Sequence, residues 1–160
     1  MKLSITPRRW LITVHILFAA IMVGNMVTFL ILSITVATTN DPQLMKSSYQ
    51  IMHVLSKTSV KASTFGTIVT GILLSVLTKW GLFKFYWIIA KEALTIVPFV
   101  LNMWGMYYWT SDAIDMIQKS NNPMLQTELW TGIIIQLISL VLMFVLSVFK
   151  PWGKRQTAST

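Results

Sequence analysis

The chain has 160 residues, 54% of them hydrophobic and only 11% charged, with a formal net charge of +8 and no cysteine. A soluble domain carries roughly 25% charged residues, so lipid rather than water is the solvent that suits this composition. The missing cysteine excludes a disulfide framework, thiolate metal sites and CxxC redox chemistry, and the basic residues stand at the ends of apolar runs rather than on one polar face, which excludes a nucleic-acid footprint.

Four membrane helices are predicted, forming one domain over residues 1–155 with a disordered polar tail at 156–160. The first spans about 10–37, and Thr38, Thr39, Asn40, Asp41 and Pro42 close it with turn chemistry. Its apolar run is about twice the 7–15 residues of a signal-peptide core, so it is expected to stay in the membrane. The second spans about 44–79, beginning as an amphipathic stretch and closing at Lys79, Trp80 and Gly81. The third spans about 83–118, with Pro98 expected to kink it and free a carbonyl near mid-membrane. Ser120, Asn121, Asn122 and Pro123 form the next break, and the fourth helix spans about 124–149. Short connections make successive helices antiparallel neighbours, an all-α, up-down, integral membrane four-helix bundle.

Charge and aromatic residues give an expected orientation. Lys2, Arg8, Arg9, Lys79, Lys84, Lys150, Lys154 and Arg155 fall at one end, which places both termini in the cytoplasm by the positive-inside rule. Asp41, Asp112, Asp115 and Glu128 fall at the other. Trp10, Trp80, Trp87 and Trp152 would mark the inner interface, and Tyr49, Tyr107, Tyr108, Trp109 and Trp130 the outer one. Helices two and three are longer than a bilayer requires and are expected to project on the outer side.

Depth matching across the turns then places the ionisable groups. His15 is the only ionisable residue between Trp10 and Asn40, and a titratable side chain inside a span marks a candidate site. It falls level with Gly71, and through Gly71 with Lys91 and Glu92, so that Gly71 leaves room in an inner-leaflet constellation of three polar side chains. Asn25 falls beside Lys61, which in turn lies near Asn102. At the outer side His53, Lys57 and Lys61 form an i, i+4, i+8 stripe, with Ser111, Asp112 and Asp115 opposite. His15 and His53 are the candidate metal ligands. They stand too far apart, by roughly 25 Å at 1.5 Å per residue, to share one haem within a chain. Met22, Met26, Met52, Met103 and Met106 could bind copper(I), although filling gaps in the core is the simpler role. No phosphate-binding loop, dinucleotide fingerprint, HExxH or Ser/His/Asp pattern is present.

The segment His15-Ile-Leu-Phe-Ala-Ala-Ile-Met-Val-Gly24 resembles the first helix of small bacterial integral membrane proteins related to the membrane domain of copper resistance protein D. Thr70-Gly71-Ile-Leu-Leu, Trp80-Gly81 and Trp87-Ile-Ile-Ala-Lys91 resemble the second and third helices of that group. The likeness covers about the first hundred residues. It implies a four-helix bundle in the bacterial cytoplasmic membrane that binds haem b or handles copper, with His15 and Lys91 as the matching positions. The chain lacks the further intramembrane histidines of membrane b-type cytochromes, which speaks against transmembrane electron transfer. The expectation is therefore a haem-binding protein, a homodimer, serving sensing, storage or transport. The alternatives are a small metal or solute transporter acting through His15, Lys91 and Glu92, and an accessory subunit of a larger membrane complex.

Overall fold

The computed structural model describes residues 4–78, 81–120 and 127–152. Among these, four helices are long and apolar enough to cross a membrane: α1 (Ile5–Thr38), α2 (Pro42–Leu77), α3 (Tyr86–Lys119) and α4 (Thr127–Phe149). No strand occurs among the described residues, and the chain is a multi-pass membrane protein by the length and composition of these helices. Lys2, Lys79, Trp80, Asn121, Asn122, Pro123, Met124, Lys154, Arg155 and the 156–160 tail lie outside the described residues.

Helix α1 starts five residues before the expected position. Pro7 falls in its first turn, where the missing N–H would have no intrahelical acceptor, so proline is no obstacle there. Helix α2 begins at Pro42 behind an Asp41 cap whose carboxylate accepts the Gln43 N–H at 2.9 Å. The turn into α3 places Gly81 at φ +66°, a left-handed conformation that glycine adopts without a side-chain clash. Helix α4 ends where Lys150 turns left-handed at φ 44° and Pro151 stops further winding. At 34, 36 and 34 residues the first three helices are all long. The expectation of extra length held only α2 and α3.

Cross-helix hydrogen bonds fix the register. His15 meets Thr70, Met22 meets Thr64, Asn25 meets Ser63 and Ser33 meets Met52, so α1 and α2 run antiparallel. His53 with Thr110 and Thr64 with Asn102 do the same for α2 and α3, and Lys91 with Ser147, Thr95 with Met143 and Asn102 with Gln136 for α3 and α4. Helix α1 also packs on α4, which closes the bundle. The core is built from Met22, Met26, Phe29, Met52, Met106, Leu129 and Ile133. The thioether of Met52 accepts the Ser33 hydroxyl proton at 3.8 Å, and the thioether of Met22 lies 3.7 Å from the Thr64 hydroxyl oxygen. These buried methionines thus fill gaps between helices.

The outward faces carry Ile16, Leu17, Ile31, Val69, Ile96, Ile138, Val141 and Val148, all exposed. Lipid chains solvate such a surface, so helix association must come from close packing and interhelical hydrogen bonds rather than from expulsion of water. Two aromatic residues depart from the expected interfacial belt: Trp87 and Tyr49 are buried at 7% and 4% exposure. Depth alone suggested the belt, but both lie on helix faces turned into the bundle.

Both α2 and α3 contain a wide π-turn, at Ser56–Val60 and Leu101–Gly105. In α3, Pro98 sits just before it and cannot donate to the preceding turn. In α2, hydroxyls supply hydrogen bonds to the local carbonyls: Ser56 to His53 at 2.7 Å, Thr58 to Val54 at 2.8 Å and Thr64 to Val60 at 2.7 Å.

Candidate functional site

Three polar layers are stacked along the bundle. The first lies toward the end that carries both termini. There the His15 ring is half-buried between α1 and α2, with Nδ1 2.9 Å from the Thr70 hydroxyl. Thr70 directs its own proton to the Gly66 carbonyl at 2.6 Å. With that proton on the carbonyl, the Thr70 oxygen is free to accept from His15, which favours the tautomer with the proton on Nδ1 and the lone pair on Nε2; the Thr67 backbone also hydrogen-bonds the ring. The imidazole lies against Gly71, where an added methyl would meet Cε1 at 3.4 Å. The space expected beside Gly71 is thus taken by the histidine itself.

Lys91 and Glu92 diverge. The Lys91 ammonium crosses to α4 and donates to the Ser147 hydroxyl at 2.7 Å, while its charge remains within electrostatic reach of His15. Ser147 passes its proton to the Met143 carbonyl, also at 2.7 Å, so it serves Lys91 as an acceptor. Glu92 Oε1 is buried with no hydrogen-bond partner. The structure therefore brings His15, Gly71 and the Lys91 charge together and leaves the Glu92 carboxyl apart.

The second layer, mid-bundle, escaped the sequence reading. Gln136 Nε2 donates to Asn102 Oδ1 at 2.8 Å, and Asn102 Nδ2 donates to Thr64 Oγ1 at 2.7 Å. Thr64 then donates to the Val60 carbonyl in the π-turn. A second branch runs from Ser59 to Asn25 Oδ1 at 3.0 Å and from Asn25 Nδ2 to Ser63 at 3.3 Å. Ser63 also reaches the Val60 carbonyl, at 3.2 Å, so the branches converge there. All four helices contribute, Asn102 and Gln136 are fully buried, and Gln136 Oε1 is left without a partner. The two π-turns supply Ser59 and Asn102, a placement common for π-turns at functional sites.

The third layer repeats the first in its details. His53 Nδ1 lies 3.1 Å from the Thr110 hydroxyl, and Thr110 donates to the Met106 carbonyl at 2.7 Å. The His53 ring packs 5.0 Å from the Tyr107 ring, and the ammonium groups of Lys57 and Lys61 lie 5.4 and 5.3 Å from the centre of that same ring. Asp112 and Asp115, expected opposite this stripe, are exposed and form no ion pair with it. Thr70 and Thr110 stand 40 positions apart by number but only one helix apart in the bundle. Measured along α2, the two histidines are separated by about 25 Å, from His53 to Thr70, so they cannot share one ligand within a chain.

No group of three or more His, Cys, Asp or Glu side chains able to hold a metal ion occurs among the described residues. A shallow apolar groove of about 680 Å³, lined by Tyr86, Ile89, Ala90, Ala93 and Trp152, lies on the face of α3 near Lys91 and Glu92. Comparison with family models, curated proteins and solved structures finds no match to this chain.

Proposed function

We propose that this chain binds haem, or a related tetrapyrrole, near the end that carries both termini, with His15 as a single axial ligand, for sensing, storage or transport rather than turnover. The observation that carries this reading is the hold on His15. Its Nδ1 is held 2.9 Å from the Thr70 hydroxyl, and with the proton on Nδ1 the lone pair falls on Nε2. A metal-bound histidine is ordinarily oriented by such a hydrogen bond from its other nitrogen. Lys91 adds a half-buried cation whose hydrogen-bond partner among the described residues is the neutral Ser147 hydroxyl, the chemistry that suits the carboxylate of such a cofactor.

His15 would hold the iron and Lys91 would meet one carboxylate. Bound haem would supply an iron centre for ligand or redox chemistry. The protein's own part is to orient the imidazole through Thr70, to offset carboxylate charge through Lys91 and to exclude water with the apolar wall of α1 and α2. Copper in place of haem would need ligands from a second copy of the chain, and a homodimer is part of the proposal for that reason. Arg8, Arg9, Lys84 and Lys150 lie at this end against Lys46, Lys57, Lys61 and Lys119 at the other, and the sequence adds Lys2, Lys79, Lys154 and Arg155 to the first group, an excess that supports both termini lying in the cytoplasm of a bacterial cell. Haem titration into purified protein tests the arrangement. Thr70→Val is expected to weaken binding by about 10-fold, the usual scale for loss of an orienting partner. Unchanged affinity would remove the argument from histidine orientation.

A specific observation favours transport as a second reading. Glu92 Oε1 is a buried, unpartnered carboxyl oxygen, and an intramembrane carboxyl of this kind marks a proton or solute path. In that case pH-driven uptake into proteoliposomes is expected to disappear in Glu92→Gln. Equal uptake in the variant would sink this reading.

A further inference from the structure

We infer that the end of the bundle opposite the termini carries a binding site for a phosphate-bearing anion, built from Lys57, Lys61 and His53 around the ring of Tyr107. The ammonium groups of Lys57 and Lys61 lie 5.4 and 5.3 Å from the centre of one aromatic ring, and the His53 ring is 5.0 Å from it on its own packing contact. No carboxylate among the described residues forms an ion pair with either lysine, and Asp112 and Asp115 are exposed to their surroundings instead. Two like charges at i, i+4 on one helix face repel each other. Both are nevertheless drawn to the same ring, so the arrangement concentrates positive charge that no carboxylate among the described residues pairs with.

The depth of the site identifies the chemistry of the missing partner. His53 bonds to Thr110, and the α3–α4 register defined by Asn102 and Gln136 puts Thr110 level with the start of α4 near Glu128. That is the boundary of the apolar thickness, because α4 is uncharged from Leu129 to Phe149. Lys57 lies one turn deeper on α2, level with Tyr107, and Lys61 lies two turns deeper, its end reaching back to that ring as long basic side chains do toward a headgroup layer. Tyr108 packs edge-on to the ring at 5.3 Å and is exposed at 56%, and Trp104, one turn earlier on α3, is exposed at 54%. A phosphate at this level would accept from two ammonium groups at once, while the aromatic residues rest at the interface. The same chemistry is offered by the headgroup of an anionic phospholipid and by a soluble phosphate compound.

The test uses the full chain, in dodecyl maltoside and in nanodiscs of phosphatidylcholine with or without phosphatidylglycerol. Thermal unfolding is followed for the wild type, Lys57→Gln/Lys61→Gln, Lys57→Arg/Lys61→Arg and the charge-matched control Lys46→Gln/Lys119→Gln. The wild type, the arginine pair and the control are expected to unfold at a higher temperature with phosphatidylglycerol, and the Lys57→Gln/Lys61→Gln protein to lose that rise. If inorganic phosphate in detergent gives the same lysine-dependent rise, the site is assigned to a soluble anion; if only phosphatidylglycerol does, to a lipid. A wild type indifferent to both, or a control that loses the rise as fully as Lys57→Gln/Lys61→Gln, overturns the proposal.

Discussion

Asn102→Leu is expected to destabilise the protein by about 1–3 kcal/mol, whereas Gln136→Leu leaves stability nearly unchanged. The two side chains are bonded to each other at 2.8 Å, yet their positions in the network differ. Asn102 accepts from Gln136 and donates to Thr64, so leucine there strands an amide on one side and removes a donor on the other. Single interhelical bonds in membrane proteins average only about 0.6 kcal/mol, but Asn102 ties α3 to both neighbours and lies where no water can replace it. Gln136 already holds an unpartnered Oε1. Leucine removes that orphan while creating another at Asn102 Oδ1, and the two changes offset. Unfolding in mixed micelles of increasing denaturing detergent compares them directly. Equal losses for both variants would show that the chain of donors from Gln136 to Val60 is not the unit that joins the helices.

Gly132→Ala is expected to cost about 1–3 kcal/mol, the range for forcing extra volume into a packed site. A methyl at Gly132 would come within 2.5 Å of Trp109 Cζ3, and one at Gly105 within 2.8 Å of the same ring's Cη2. The indole edge is held in a notch between two glycines, one on its own helix and one on α4. It cannot retreat from either without moving against the other. Gly24→Ala is the matched control, because nothing lies within 4 Å of a methyl there, and the better helix propensity of alanine should leave it neutral or slightly stabilised. Trp109→Phe in the Gly132→Ala background is expected to restore part of the loss, since a smaller ring vacates the notch. No rescue would mean that the notch is not where the strain arises.

These two predictions rest on features that the sequence shows to different degrees. The helices and their register were legible, because long uncharged runs and short turns leave few ways to arrange them. Depth matching put His15 beside Gly71, which its ring touches, and His53 beside Ser111, one residue from its partner Thr110. The same matching set Asn25 and Asn102 level with Lys61, the one available signal of the mid-bundle network. Isolated amides and hydroxyls barely disturb an apolar run, so the network leaves little other trace in the sequence. Gln136 had no charged neighbour to draw notice at all. Direction was the other hidden quantity. Lys91 and Glu92 are adjacent and share a depth, yet successive helical positions point about 100° apart, so one crosses to Ser147 and the other does not. Tyr49 and Trp87 show the same limit, since depth alone could not reveal that they face inward. Pro98 announced a disturbance in α3, whereas the π-turn of α2 depends on serine and threonine bonds that no breaker residue marks.

His15, oriented by Thr70, is the proposed haem ligand. The most direct measurement is the absorbance spectrum of the purified protein after haem reconstitution, taken for the wild type, His15→Ala and His53→Ala. A Soret band in the wild type and in His53→Ala, lost in His15→Ala, is the predicted result. A wild type that takes up no haem, or a band that survives His15→Ala unchanged, would contradict it.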